Sequence, residues 1–383
     1  HIVTDKSLLE NRPSGIRAVT VNYPGIIHDI EIGKLILIDS GLIHLEVVGL
    51  EAQAIHCRVV IPGLLKSRRH VNLPGVKVRL PALTEKDKND VLAGIDCGIH
   101  YYALSFVREA CDIEALRAFL TQNGSPAKIL AKIEDQSGVK NLEAIIKESD
   151  GVMVARGDLG VEWPFEELPM LQSRIVRACI SQSKPVIVAT HMLESMIQAP
   201  VPTRAEVSDI AQAIFQWADA IMLSGETSVG QYPVTCVEVM HKIACSTERF
   251  AELSRLPEVK LSTPRSKLMR SAMILAQELG GAPIVVFSSK GILPTILSSL
   301  RPSHCPAFVF TNDTRVYSEM QLLWGIEPFL IDFPQDPEIR WSNACAVLKA
   351  NHRVAPQQWM VVVTYTLAEG KRYDSIQLRQ MVE

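Results

Sequence analysis

Apolar positions follow three successive rhythms along the chain. From about residue 14 to residue 79 they come in short runs, GIRAVTV, KLILIDSG, LIHLEVV and AIHCRVVI, separated by Gly, Pro and Asp turns. Runs of this length bounded by turn formers predict a small all-β unit, interrupted only by a turn near Gly25 to Ile30. The rhythm changes at Thr84. With Asp87 three residues on, it offers an N-terminal cap and an acidic first turn to a helix over EKDKNDVLAG. Five continuous apolar runs follow: YYALSFV (101–107), AKILAKIE (127–134), GVMVARGD (151–158), KPVIVAT (184–190) and DAIMLSG (219–225). Each reads as a strand buried on both faces and followed by a helical pattern, the mark of parallel βαβ units.

At roughly 25–35 residues per unit the expected architecture is a (β/α) barrel. Such a barrel closes with eight strands, and five are legible. Two options stay open at this point: an open doubly wound sheet, or a barrel whose first three strands, on the order of 90 residues, precede His1. HIVTDKSLLEN reads as the middle of something, so the chain is expected to be part of a longer one. A third rhythm starts near Thr247. PIVVFSS (283–289), AFVFTN (307–312), PFLID (328–332) and MVVVTY (360–365) alternate with helices such as RSKLMRSAMILAQEL, which predicts a smaller α/β domain. The implied domains are a β-rich unit over 1–79, the βα units over 80–246 and the α/β domain over 247–383.

Composition changes this picture little. With 47% hydrophobic and 21% charged residues, the 383-residue chain is an ordinary globular one. A net charge of -3 gives no basic stripe for nucleic acid or anionic lipid. No apolar segment approaches the roughly 18 residues of a membrane span. The eight cysteines stand singly, without the close pairs of zinc or redox motifs, and predict a reducing, cytoplasmic setting.

The charged ends of the apolar runs carry the candidate chemistry. Side chains alternate along a strand, so Lys132 and Glu134 point the same way. The carboxyl ends of parallel barrel strands share one rim, where active sites are built. Lys132 and Glu134, Asp158, Thr190, and Ser224 with Glu226 all arrive there. Two carboxylates at neighbouring strand ends could hold one hard divalent cation, with substrate oxygens and water completing its shell. A lysine beside it would place positive charge where a phosphoryl or enolate oxygen becomes negative. Gly157 permits close approach of backbone N–H groups to an anion. Taken singly, Lys132 and Glu134 read as a solvated rim pair before they read as catalysts, Asp158 as readily as a turn former, and Thr190 as an ordinary strand residue. Their arrival at one rim in sequential order is what favours a site.

Three long motifs, KIEDQSGVKNLEAIIKESDGVMVARGDLGVE, KPVIVATHMLESMIQAPVPTRAEVSDIAQAI and DAIMLSGETSVGQYPV, closely resemble the pyruvate kinase family. The resemblance extends back through VNLPGVKVRLPALTEKD and, more weakly, forward to the end. It implies an α/β fold: a (β/α)8 barrel with a β-rich lid inserted after the third strand and a regulatory α/β domain behind. Barrel strands four to eight would be present here, the first three absent. The implied activity is phosphoryl transfer from phosphoenolpyruvate to ADP, then protonation of the enolate to pyruvate. Magnesium or manganese would be required, and potassium, whose ligands would lie outside this chain. A cytoplasmic, allosteric homotetramer is implied, its subunits meeting at the helix that carries PTRAEVSD.

Matched by motif position, Lys132 would neutralise the transferring phosphoryl group, and Glu134 and Asp158 would ligate the metal. Backbone N–H groups of Ala155, Arg156, Gly157 and Asp158 would take the substrate carboxylate. Thr190 would border the methylene carbon, with Ser224 in the wall of the same pocket, and Arg68 and Arg69 of the lid would meet the ADP phosphates. His191 stands where the family usually has Gln, and Arg68, Arg69 and His70 where Lys, Lys and Gly are usual. In SSKGILPT, Lys290, Ile292 and Leu293 replace hydroxyl or basic side chains, which argues against a fructose 1,6-bisphosphate site. Two rivals remain at this stage: a metal-dependent aldolase or lyase of pyruvate-like enolates, and an idle paralogue.

Overall fold

The computed structural model describes residues 1–9, 17–250, 258–302, 304–368 and 371–381. Its first unit is a six-stranded sheet of β1 (Ile2–Val3), β2 (Val19–Thr20), β3 (Leu35–Ile38), β4 (Ile43–Glu51), β5 (Ala54–Ile61) and β6 (Val71–Asn72), in the order β2-β1-β5-β4-β3-β6. Only the β1–β2 pair is parallel. Alternate residues of these strands, Ile36, Ile38, Ile43, Val47 and Ile55, form its core with Ile2 and Ile26. The expected turn is a single helical turn, Ile26–Asp29.

Helix Glu85–Asp96 opens as the sequence requires. The Asp87 N–H donates to the Thr84 hydroxyl (3.2 Å), and the Thr84 N–H donates back to the Asp87 carboxylate (2.8 Å). Five parallel strands follow: β7 (Tyr101–Leu104), β8 (Lys128–Ile133), β9 (Gly151–Ala155), β10 (Val186–Ala189) and β11 (Ala220–Met222). They lie side by side in sequence order, the neighbour relation of a (β/α) barrel and not of a doubly wound sheet. One face buries Ile129, Ala131, Ile133, Val152, Val154, Val186 and Val188 against the helices; the other gathers Leu130, Met153, Ile187 and Ala189. β9 and β10 are buried throughout, as their unbroken apolar runs predict. β7 and β11, at the ends of this sheet, keep partly exposed residues, so burial on both faces does not extend to them.

Several expected strands end early, YYALSFV at Leu104 and DAIMLSG at Met222 among them, and one gives way to helix. GVMVARGD is extended only to Ala155, and Arg156–Glu162 is a helix, which puts Asp158 in a first helical turn and not on a strand.

The third unit is a sheet of β12 (Ile284–Phe287), β13 (Ala307–Thr311), β14 (Ile326–Leu330), β15 (Trp359–Ala368) and β16 (Lys371–Gln380), ordered β14-β13-β12-β15-β16. β16 pairs antiparallel with β15, and the sequence reading omitted it. Its apolar residues, Tyr373, Ile376 and Leu378, are scattered among polar ones at the sheet edge, so no apolar run announces it.

Two buried carboxylates join the parallel sheet to the third unit. Asp219, just before β11, accepts from Arg301 (2.9 Å), the Val186 N–H (3.0 Å) and the Trp324 N–H (3.3 Å). Running the other way, Glu319 pairs with Lys128 at the start of β8 (2.8 Å).

Candidate active site

The carboxyl ends of β7 to β11 form one rim, and the candidates sit on it in sequence order. Lys132, on the last turn of the pleat in β8, and Glu134, one residue beyond the strand, do point the same way: Nζ and Oε1 are 2.8 Å apart. Glu134 is 1% exposed, so its charge needs partners. The second oxygen, Oε2, accepts the Phe106 N–H at 2.6 Å. Lys132 also donates to the Ser105 hydroxyl at 2.7 Å. Both of these supports come just after β7, and neither was recognised in the sequence, because Ser105 and Phe106 were read as part of the apolar run YYALSFV.

β9 and β10 meet in register at Ala155 and Ala189, so the turns that leave them lie against each other. The Gly157 N–H donates to the Thr190 hydroxyl (2.8 Å), which donates in turn to the Ala189 carbonyl (2.6 Å). Thr190 and His191 both have left-handed backbone, φ 69° and 54°. Such backbone costs energy in a β-branched residue and persists only where surroundings hold it. The holder is Arg156, buried at 7% exposure. Its guanidinium donates to the Ala189 carbonyl (3.3 Å), to the Thr190 carbonyl and to Asp209 (2.6 Å). The Arg156 side chain therefore braces the rim from behind. Of the expected backbone donors, the Gly157 N–H is already committed to Thr190.

Glu226 is a second brace. Its buried carboxylate accepts the Leu193 N–H (3.0 Å) and the Ser224 N–H (2.7 Å), tying the turn after β10 to the turn after β11. Ser224 is thereby fixed at the rim. The sequence reading placed Glu226 at the rim but not its bracing role, and it missed Asp209, because both roles depend on partners distant in the chain.

Asp158 is half-buried, and no hydrogen bond or ion pair engages it among the described residues. Glu134 and Asp158 occupy adjacent strand ends, and no larger metal-binding group of His, Cys, Asp or Glu exists among the described residues. The donor set fits a hard, largely hydrated divalent cation: carboxylate oxygens only, one of them unengaged, and lone pairs left on each Glu134 oxygen. Four residues beyond Asp158, Glu162 meets the lid. Its carboxyl accepts from Asn72 at 3.4 Å, and burial, with Asp135 and Asp158 nearby, pushes its pKa up to about 7. The lid arginines lie elsewhere. Arg68 and Arg69 are on the exposed turn between β5 and β6, where Arg69 pairs with Asp39 (3.2 Å). His191 is exposed and 3.4 Å from Glu194.

Residues 1–237 match the pyruvate kinase barrel domain and residues 266–375 the pyruvate kinase alpha/beta domain. A chloroplastic pyruvate kinase isozyme G of Ricinus communis is 42% identical over 86% of this chain and 79% of its own length. The isozyme G of Nicotiana tabacum is 41% identical over 90% of this chain, and the pyruvate kinase of Geobacillus stearothermophilus 44% over 80%. The chain spans less than two thirds of several of these relatives, 62% of the tobacco protein and 54% of the Geobacillus one. A solved pyruvate kinase of Cryptosporidium parvum superposes with a TM-score of 0.89 at 28% identity, covering 99% of this chain and 78% of that one.

These names correct one expectation. The plant relatives are named chloroplastic or plastidial, which overturns the cytoplasmic reading. No helix among the described residues is long and apolar enough to cross a membrane. With both domains matched and relatives above 40% identity over most of the sequence, the chain belongs to the pyruvate kinase family.

Proposed function

We propose that this chain carries the catalytic rim of a phosphotransferase that moves the phosphoryl group of phosphoenolpyruvate to ADP, giving ATP and pyruvate. The observation that carries the reading is the Lys132–Glu134 pair, 2.8 Å apart at the end of β8, with Asp158 following the end of the adjacent strand β9. Phosphoryl transfer asks chiefly for positioning and charge stabilisation. Lys132 supplies a point charge for the equatorial oxygens of the transferring group, held in place by Glu134. Glu134 and Asp158 are the residues that would hold magnesium or manganese, which when bound neutralises phosphoryl and enolate oxygens. Backbone N–H groups from Ala155 to Asp158 receive the substrate carboxylate, that of Gly157 once it leaves the Thr190 hydroxyl. Thr190, with its hydroxyl fixed between Gly157 and Ala189, borders the methylene carbon, with Ser224 in the wall of the same pocket.

Arg68 and Arg69 meet ADP phosphates in this reading, after Arg69 leaves Asp39. Potassium dependence, with no ligand assigned in this chain, assembly as a homotetramer, allosteric control and the division at residues 79/80 and 246/247 belong to the same proposal. A coupled assay of pyruvate formation from phosphoenolpyruvate, ADP and magnesium tests it, with Lys132→Met as the informative variant. The expected result is turnover in the parent and a loss of about a hundredfold or more in the variant, with substrate binding largely kept. Equal turnover in the two proteins would remove Lys132 from the mechanism. ADP-independent cleavage of a pyruvate-like substrate would replace the reading with a lyase.

A further inference from the structure

We infer that Ser105 is a positioning residue for the Lys132 ammonium, part of a two-residue clamp at the end of β7. The inference deepens the proposed phosphotransferase reading and rests on it for its kinetic consequence, not for its structural one. Ser105 and Phe106 are consecutive, and each holds one member of the pair on the neighbouring strand. The Ser105 hydroxyl accepts from Lys132 Nζ at 2.7 Å, and the Phe106 N–H donates to Glu134 Oε2 at 2.6 Å. Register explains why: Leu104 is paired with Ala131, so the next residues of β7 stand beside Lys132 and beyond. Phe106 is driven to a left-handed φ of 52°, and this turn is what points its N–H at Glu134.

A lysine ammonium on a four-carbon stem has three donors and no preferred direction of its own. Ser105 and Glu134 take two of them, from two different strands, and so the third has one direction left. The two anchors are not equivalent. A divalent cation drawing on Glu134 weakens that carboxylate as a partner for a neighbouring ammonium and adds like charge. The neutral Ser105 oxygen keeps its hold through that change.

The decisive readout needs no turnover. In the metal-free protein, the rate at which an amine-acylating reagent labels Lys132 is measured by peptide mass mapping at one pH, with Lys86 as an internal reference. Ser105→Ala is expected to raise Lys132 labelling several-fold relative to Lys86, and Ser105→Thr, which keeps the hydroxyl, to restore the parent rate. Equal labelling in all three proteins overturns the inference. So does a raised rate that Ser105→Thr fails to restore, provided its thermal midpoint matches the parent. Where the parent turns over, Ser105→Ala should lower kcat about tenfold or more with KM for ADP within about twofold, as a misdirected group does. An effect confined to KM for phosphoenolpyruvate would make Ser105 a substrate contact and overturn positioning. Absence of turnover in the parent defeats the phosphotransferase reading and leaves the labelling result to judge the clamp.

Discussion

At the scale of single residues, the site is a problem of keeping charges apart from solvent and close to each other. Glu134 is buried with one cation and one N–H, and both of its oxygens are used once. Replacing it by Gln keeps shape and removes the charge that a hard cation needs. Glu134→Gln is therefore expected to raise the magnesium concentration for half-maximal turnover by tenfold or more, on the order of 1.4 kcal/mol. A titration of activity against magnesium checks it, and an unchanged requirement would place the metal elsewhere. The Lys132–Glu134 contact was legible in the sequence because two residues on a strand share a side whatever the fold. The Ser105 and Phe106 supports were not, since they depend on which strand lies next door.

At the scale of elements, the turns after β9 and β10 show what local pattern leaves out. GVMVARGD looks extended to its end, yet helix begins at Arg156, because the guanidinium finds carbonyls and Asp209 only when the chain turns there. The same helix ends at Glu162, which the lid residue Asn72 covers. Glu162 takes its proton near pH 7 in the folded protein and near 4.5 when unfolded. Between those values the native state binds more protons than the unfolded one, so stability falls as pH rises. The fall integrates to about 3 kcal/mol at most. Glu162→Gln is expected to flatten that decline in the metal-free protein, as read by urea unfolding between about pH 5 and 7. A slope as steep as the parent's would assign the dependence to another group.

At the scale of the whole molecule, the parallel sheet and the C-terminal unit are held by Asp219 and Arg301, 3% and 1% exposed. Arg301 also lies over the Trp324 ring at 5.4 Å. Removing one charge strands the other in a dry interface, at a cost of about 3–5 kcal/mol. Asp219→Asn should thus lower the denaturation midpoint without touching the rim, and calorimetry with activity measured below the transition separates the two effects. An unaltered midpoint would mean that the domains are joined chiefly by their apolar contacts.

Taken by itself, the sequence determined the three units, the parallel character of the middle sheet, the capped helix at Thr84 and the shared direction of Lys132 and Glu134. Each of these follows from periodicity, capping or a strand's two-residue repeat, which are properties of neighbours in the chain. Tertiary structure alone decided that Gly157 is bonded to Thr190, that Arg156 and Glu226 brace the rim, that β16 edges the last sheet and that Ser105 faces Lys132. These are contacts between segments 27 to 34 residues apart or across a sheet edge, where strand register chooses the partner and no local pattern records the choice.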